Sequence, residues 1–61
     1  MRDPERIERI QSLIDKIWKK MPDLRLTQLI MNALGMSRDP YHVEDDVLEQ
    51  ALIKLNDKLG G

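Results

Sequence analysis

Apolar residues recur at intervals of three and four along the first third of this sequence. They are Ile7, Ile10, Leu13, Ile14, Ile17, Trp18 and Met21. This spacing builds one apolar stripe along an α-helix, because an α-helix completes a turn in 3.6 residues. Pro4 suits a first helical turn after an Asp3 N-cap, and Pro22 disfavours helical geometry in the residue before it. The pattern therefore predicts a helix over residues 4–20.

A second apolar stripe follows Pro22. Its members are Leu26, Leu29, Ile30, Ala33 and Leu34, and it is widened by Leu24 and Met31. We expect a helix over residues 24–34, with Asp23 as the N-cap and Gly35 as the C-terminal cap. So wide an apolar arc is typical of a central helix that is covered on most sides.

The third stripe lies near the C-terminus and predicts a helix over residues 45–59 that Gly60 and Gly61 end. Its members are Val47, Leu48, Ala51, Leu52, Leu55 and Leu59. The connections between the helices have about three and about nine residues, which points to a three-helix domain. The sequence as a whole predicts a single all-α domain over residues 1–61, a small three-helix bundle.

The segment MSRDPYHV, between the second and third helices, predicts a loop. Asp39-Pro40 has turn chemistry, and Tyr41 and Val43 are expected to point inward from a short extended piece. A helix-turn-helix unit for DNA binding is not expected, because its turn has three or four residues and this connection has about nine.

Composition excludes several classes of protein. The chain has no Cys and one His, which excludes disulfides and cysteine-bound zinc and argues against a metal site built on several imidazoles. Ten basic and 11 acidic residues give a net charge of −1, which argues against a dedicated nucleic-acid binder. No apolar run approaches the roughly 20 residues that span a bilayer, and the N-terminus is too charged for a secretory signal. A cytoplasmic location without membrane attachment is expected.

Three consecutive acids, Glu44, Asp45 and Asp46, precede the third helix. We favour a helix start, because carboxylates in a first turn meet the positive end of the helix dipole. The alternative is a weak site for a hard cation that includes Asp39, although EF-hand loops place their acids at alternate positions. His42 has no nucleophile suited to pair with it. We therefore expect no enzyme, no catalytic residue, no cofactor and no small-molecule substrate.

One flank of the first stripe is basic: it carries Arg6, Arg9, Lys16 and Lys20. The favoured interpretation is a face whose cations pair with acids of the same or neighbouring helices. The other interpretation is a basic stripe that binds phosphate or an acidic partner.

Apolar side chains outside the stripes' centres are further candidates for a partner surface. Ile53 falls on the polar side of the third helix, and Met36 follows the end of the second. Trp18 is expected in the core, although its position at the edge of the stripe also suits a partner contact. So short a chain has little margin of stability alone, and contact between helical faces of two chains would add to it.

The strings IWKKMPDLRLTQLI, residues 17–30, and DPYHVEDDVL, residues 39–48, resemble a family of short bacterial and phage-encoded proteins without an established activity. The resemblance implies a shared fold and a bacterial or mobile-element context. It favours a small accessory or regulatory binding protein over an enzyme, and it assigns no functional residue.

Together these patterns predict a non-enzymatic interaction or regulatory module that binds another protein or itself. Its candidate contact residues are Arg6, Arg9, Lys16, Trp18, Lys20 and Ile53. The alternative is a nucleic-acid-associated regulator that uses the basic flank of the first helix.

Overall fold

The computed structural model describes residues 2–60, which form three α-helices and one turn of 3₁₀-helix. The α-helices are α1 (Arg6–Lys20), α2 (Leu26–Leu34) and α3 (Asp45–Lys58), and the 3₁₀ turn is Pro40–His42. Over residues 2–60 there is no strand, so the predicted all-α three-helix bundle is confirmed. In that same range no helix has the length and apolar character needed to cross a membrane. Gly61, predicted to help end the third helix, lies outside the described residues.

α1 begins slightly later than the prediction of residues 4–20. The side chain of Asp3 accepts a hydrogen bond from the Glu5 N–H at 2.9 Å, and its carbonyl accepts one from the Arg6 N–H at 3.2 Å. Asp3 therefore closes a tight turn ahead of the helix. The prediction that Asp3 is the N-cap of α1 is wrong, because that position is Glu5. The end at Lys20 agrees with the sequence.

The prediction that α2 begins at residue 24 with Asp23 as its N-cap is wrong. Arg25 has extended backbone, with φ −74° and ψ 153°, and its N–H donates to Oε1 of Gln28 at 2.8 Å. The Leu24 carbonyl accepts a hydrogen bond from Nε1 of Trp18 at 2.8 Å. The indole thus fixes the connection outside the helix, and a glutamine at the third helical position caps the start.

Glycines end α2 and α3, as predicted. Gly35 has a φ of +94°, which side chains with a Cβ rarely adopt, and its N–H donates to the Met31 carbonyl at 2.8 Å. Gly60, with a φ of +92°, follows the last residues of α3.

The expectation that Tyr41 points inward from extended backbone is also wrong. Oδ1 of Asp39 accepts the Tyr41 N–H at 3.0 Å, and this bond nucleates the 3₁₀ turn. The turn places Tyr41 in solvent, 87% exposed, with the His42 ring against its edge. Val43, the other residue expected to point inward, is half-buried.

The centre of the core takes one residue from each helix. Ile17 of α1, Leu29 of α2 and Leu52 of α3 are fully buried and in mutual contact. Partly buried apolar side chains surround them: Ile10, Leu13, Ile14, Trp18, Met21, Leu24, Ala33, Leu48, Leu55 and Leu59. Most members of the predicted stripes therefore build the core, whereas Ile7, Leu26 and Val47 are exposed.

The central helix is α3, and the prediction that α2 is the most covered helix is wrong. α3 packs extensively against both other helices, whereas α1 and α2 touch each other little. α2 has only nine residues, too few to lie along the whole of either neighbour, and Leu26 at its start is 39% exposed. The apolar arc of α2 is therefore wider than the surface that α1 and α3 cover, and part of this arc is exposed.

Candidate functional site

Two of the predicted basic-flank residues, Arg6 and Arg9, form ion pairs with α3. Nε of Arg6 lies 2.7 Å from Oδ2 of Asp45. Arg9 holds Glu49 with two hydrogen bonds, of 2.7 Å from Nε and 3.2 Å from Nη2. Two-point contact of this kind fixes the guanidinium in one orientation, so both arginines are committed to the α1–α3 interface.

The same network extends to the N-terminus. Nη1 of Arg9 lies 3.1 Å from Oδ2 of Asp3, and Nη2 of Arg2 lies 2.8 Å from Oε1 of Glu44. Arg2, Arg6 and Arg9 thus each face a carboxylate, and the first residues of α1 and α3 lie side by side. Most of these side chains are exposed to solvent, so salt screens the attraction between them.

The network lowers the pKa values of two of its carboxyl groups. The pKa of Glu49 is lowered chiefly by the hydrogen bonds from Arg9, and that of Asp3 by the Glu5 N–H and then by Arg9. A carboxyl group whose pKa is lower in the folded state stabilises that state at neutral pH. This contribution is complete above the unfolded-state pKa and is lost as pH falls through the lowered values.

The remaining two basic-flank residues have different surroundings. Nζ of Lys20 donates to Oδ1 of the buried Asn56 at 3.2 Å. Lys16 is exposed and forms no ion pair with any residue from 2 to 60. Arg6, Arg9 and Lys20 therefore each contact a residue of α3. The interpretation of a basic flank whose cations pair with a neighbouring helix fits this geometry better than that of a free basic stripe.

The acidic triplet occupies the start of α3, as predicted. Glu44 pairs with Arg2, which precedes α1, and Asp45 pairs with Arg6 of α1. Asp46 accepts the Val47 N–H at 2.9 Å. No group of three or more potential metal ligands occurs among the described residues. Two of the three acids therefore have cationic partners within the chain.

Trp18 and Ile53, two of the candidate contact residues, are both half-buried. Trp18 packs against the core, and its indole donates to the Leu24 carbonyl, so its predicted role in the core is confirmed. Ile53, predicted on the polar side of α3, is half-buried. Met36 is 80% exposed, in agreement with its position past the end of α2.

An open groove between α2 and α3, with a volume of about 610 Å³, was not predicted from the sequence. Its floor is apolar and consists of Ala33, Leu34, Val47, Ala51 and Leu55. Val47 is 41% exposed there. The available signal was the pair of alanines at stripe positions, because two short side chains on facing helices leave the space between those helices unfilled.

Charged and amide side chains border this groove on both sides. They are Asn32, Arg38, Asp46, Glu49, Gln50, Lys54 and Lys58. An apolar centre surrounded by polar side chains is the usual composition of a protein interface. We call this feature the α2–α3 groove.

A smaller concavity of about 300 Å³ lies on the other side of α2. Its lining residues carry no charge: Leu24, Thr27, Gln28, Met31, Asn32 and Met36. It offers neither the length nor the charges of the α2–α3 groove.

No family model, no curated protein and no solved structure matches this chain. The resemblance to short bacterial and phage-encoded proteins stays a prediction, and so does the context that it implies.

Proposed function

We propose that this chain is a non-enzymatic protein-interaction module whose α2–α3 groove binds a helical segment of another protein. The observation that carries the proposal is the apolar floor of the groove, in which Val47 is 41% exposed and Ala33, Ala51 and Leu55 are half-buried. Apolar surface left in contact with water is the surface whose burial favours association. The proposal places this binding in the cytoplasm, in a bacterial or phage context, and requires no cofactor.

The alternative function, nucleic-acid binding through α1, has less support. Arg6 and Arg9 are paired with Asp45 and Glu49, so binding phosphate would require breaking these ion pairs. Of the four basic-flank residues, Lys16 alone points to solvent without a partner among residues 2–60. The geometry supports protein binding over nucleic-acid binding.

A substitution that fills the groove tests the proposal. Ala51→Gln adds a neutral side chain to the floor and keeps good helix propensity, so it blocks a partner helix without changing charge. We expect at least a tenfold loss of the proteins that co-purify with the tagged chain from the cells that produce it naturally. The measurement is quantitative mass spectrometry of matched purifications.

Ser12→Gln is the matched control, because this substitution also replaces a small side chain with glutamine. Ser12 is exposed and lies in the middle of α1. The substitution should leave co-purification unchanged. Equal retention by both variants, each folded by circular dichroism, would contradict the groove as the binding surface.

A further inference from the structure

We propose that the partner segment is an amphipathic helix whose apolar stripe is flanked by acidic residues. This inference rests on the proposed function of the α2–α3 groove and adds the chemistry of its occupant. It follows from which charges of the molecule are already neutralised and which are not.

The cations near the starts of α1 and α3 form ion pairs, whereas those of the α2–α3 groove do not form any with residues 2–60. Arg2, Arg6 and Arg9, at the α1–α3 interface, each contact a carboxylate. The three cations of the groove are Arg38, Lys54 and Lys58. None of these three forms an ion pair with any residue between 2 and 60. The groove therefore concentrates positive charge that the described fold does not balance.

The acids of the groove offset only part of this charge. The Glu49 side chain is 14% exposed, and its carboxylate is held by Arg9 on the side of α3 that faces α1. Asp46 is the remaining acid, and it lies at the first turn of α3. Among residues 2–60, three groove cations without an ion pair thus stand against one acid without an ion pair, Asp46. The excess of positive charge attracts acidic segments and disfavours basic ones.

The side chains along the α3 edge of the groove place its positive charge toward one end. Asp46, Gln50, Lys54 and Lys58 follow one another at intervals of four, so they lie in one line along the helix. This line spans 12 residues, or about 18 Å at 1.5 Å per residue, which is three to four helical turns. The lysines occupy its C-terminal half, and the acids of the partner are expected opposite them.

The floor of the groove suits a helix as the occupant. Ala33 and Ala51 project little from their helices, so the backbone of a partner can approach closely. Packed helices lie about 8–10 Å apart, and the smaller distances require small residues at the contact. A partner helix of about 12 to 14 residues matches the length of the groove.

Two synthetic peptides of 14 residues test the inference. Both have leucines at helical spacing; one carries glutamates at all flanking positions and the other carries lysines. We expect the glutamate peptide to bind the chain at least tenfold more tightly at low salt, with a preference that shrinks as salt rises. NMR of isotope-labelled chain should show shift changes concentrated at the amides of Val47 and Ala51.

Charge reversal at the groove supplies the decisive comparison. The double variant Lys54→Glu/Lys58→Glu should reverse the preference toward the lysine peptide. Lys16→Glu/Lys19→Glu makes the same change of net charge on exposed α1 positions and should keep the preference for glutamate. It removes an exposed ion pair between Lys19 and Asp15, which contributes little to stability. All four lysines are exposed, so both variants are expected to fold, which melting by circular dichroism checks.

Each other outcome overturns the inference. Equal binding of the two peptides, equal effects of the two double variants, or shift changes outside the groove would show that the groove does not select acidic helices. The inference would also be overturned if neither peptide bound, or if the chain assembled with a second copy through the groove. Co-purification that depends on Ala51 would still support the proposed function in these cases, so the two failures are distinguishable.

Discussion

Leu52→Ala is expected to abolish the cooperative folding of this chain. Leu52 is fully buried in α3 and contacts the buried residues of both other helices, Ile17 and Leu29. Truncating a buried leucine costs about 2–5 kcal/mol, because it removes apolar contacts and leaves a cavity. A domain of this length has a total stability of about 3–9 kcal/mol, so the loss approaches the whole. Circular dichroism at 222 nm during urea unfolding measures the effect.

Leu26→Ala is the matched control for this prediction. It makes the same chemical change at a helical leucine that is 39% exposed. Its expected cost is below about 1 kcal/mol, because little apolar area leaves contact with other residues. Two variants with equal unfolding midpoints would contradict the position of Leu52 at the centre of the core.

Trp18→Ala is expected to have the second-largest effect on stability. The indole packs against the core and donates a hydrogen bond of 2.8 Å to the Leu24 carbonyl, which fixes the connection between α1 and α2. Because the ring is only partly buried, we expect a cost of about 2–4 kcal/mol, below that of a fully buried tryptophan. Thermal unfolding by circular dichroism is the appropriate measurement, since this substitution removes the chain's single tryptophan fluorophore.

Trp18→Phe separates the two parts of this effect. Phenylalanine keeps a ring in the same place and loses the hydrogen bond, at a cost of about 1 kcal/mol. In a domain of this size that cost lowers the melting temperature by about 4–8 °C. If Trp18→Ala instead melted like the wild type but lost its binding partner, Trp18 would belong to a contact surface and its role in the core would be wrong.

The helices were predictable because their signals are local. Apolar periodicity indicated the existence of α1, α2 and α3, and Pro22 and the two glycines indicated their C-terminal ends, since each signal acts within one or two turns. The start of α2 was missed because it depends on Trp18, whose indole removes the Leu24 carbonyl from helical bonding. A contact of this kind is set by the packing of α1 against the connection, and the propensity of Asp23 to cap a helix does not outweigh it.

The candidate site was less predictable, because it depends on which helices are neighbours. The spacing of Arg6 and Arg9 places both on one flank of α1. It does not indicate that Asp45 and Glu49 of α3 face this flank. The register of α1 against α3 decides that the arginines are neutralised. Lys54 and Lys58, which line the α2–α3 groove, have no ion pair with any residue from 2 to 60, and periodicity indicated only a polar face there.

The proximity of a partner to the α2–α3 groove is the central claim, and site-specific photo-crosslinking measures it most directly. A benzophenone amino acid replaces Gln50, at the edge of the groove, or Gln11, which is also exposed and lies in the middle of α1. Irradiation of the cells that produce the chain naturally should give a discrete adduct from position 50 and none from position 11, and Ala51→Gln should remove that adduct. Adducts of equal yield from both positions, or from position 11 alone, would contradict the groove as the binding surface.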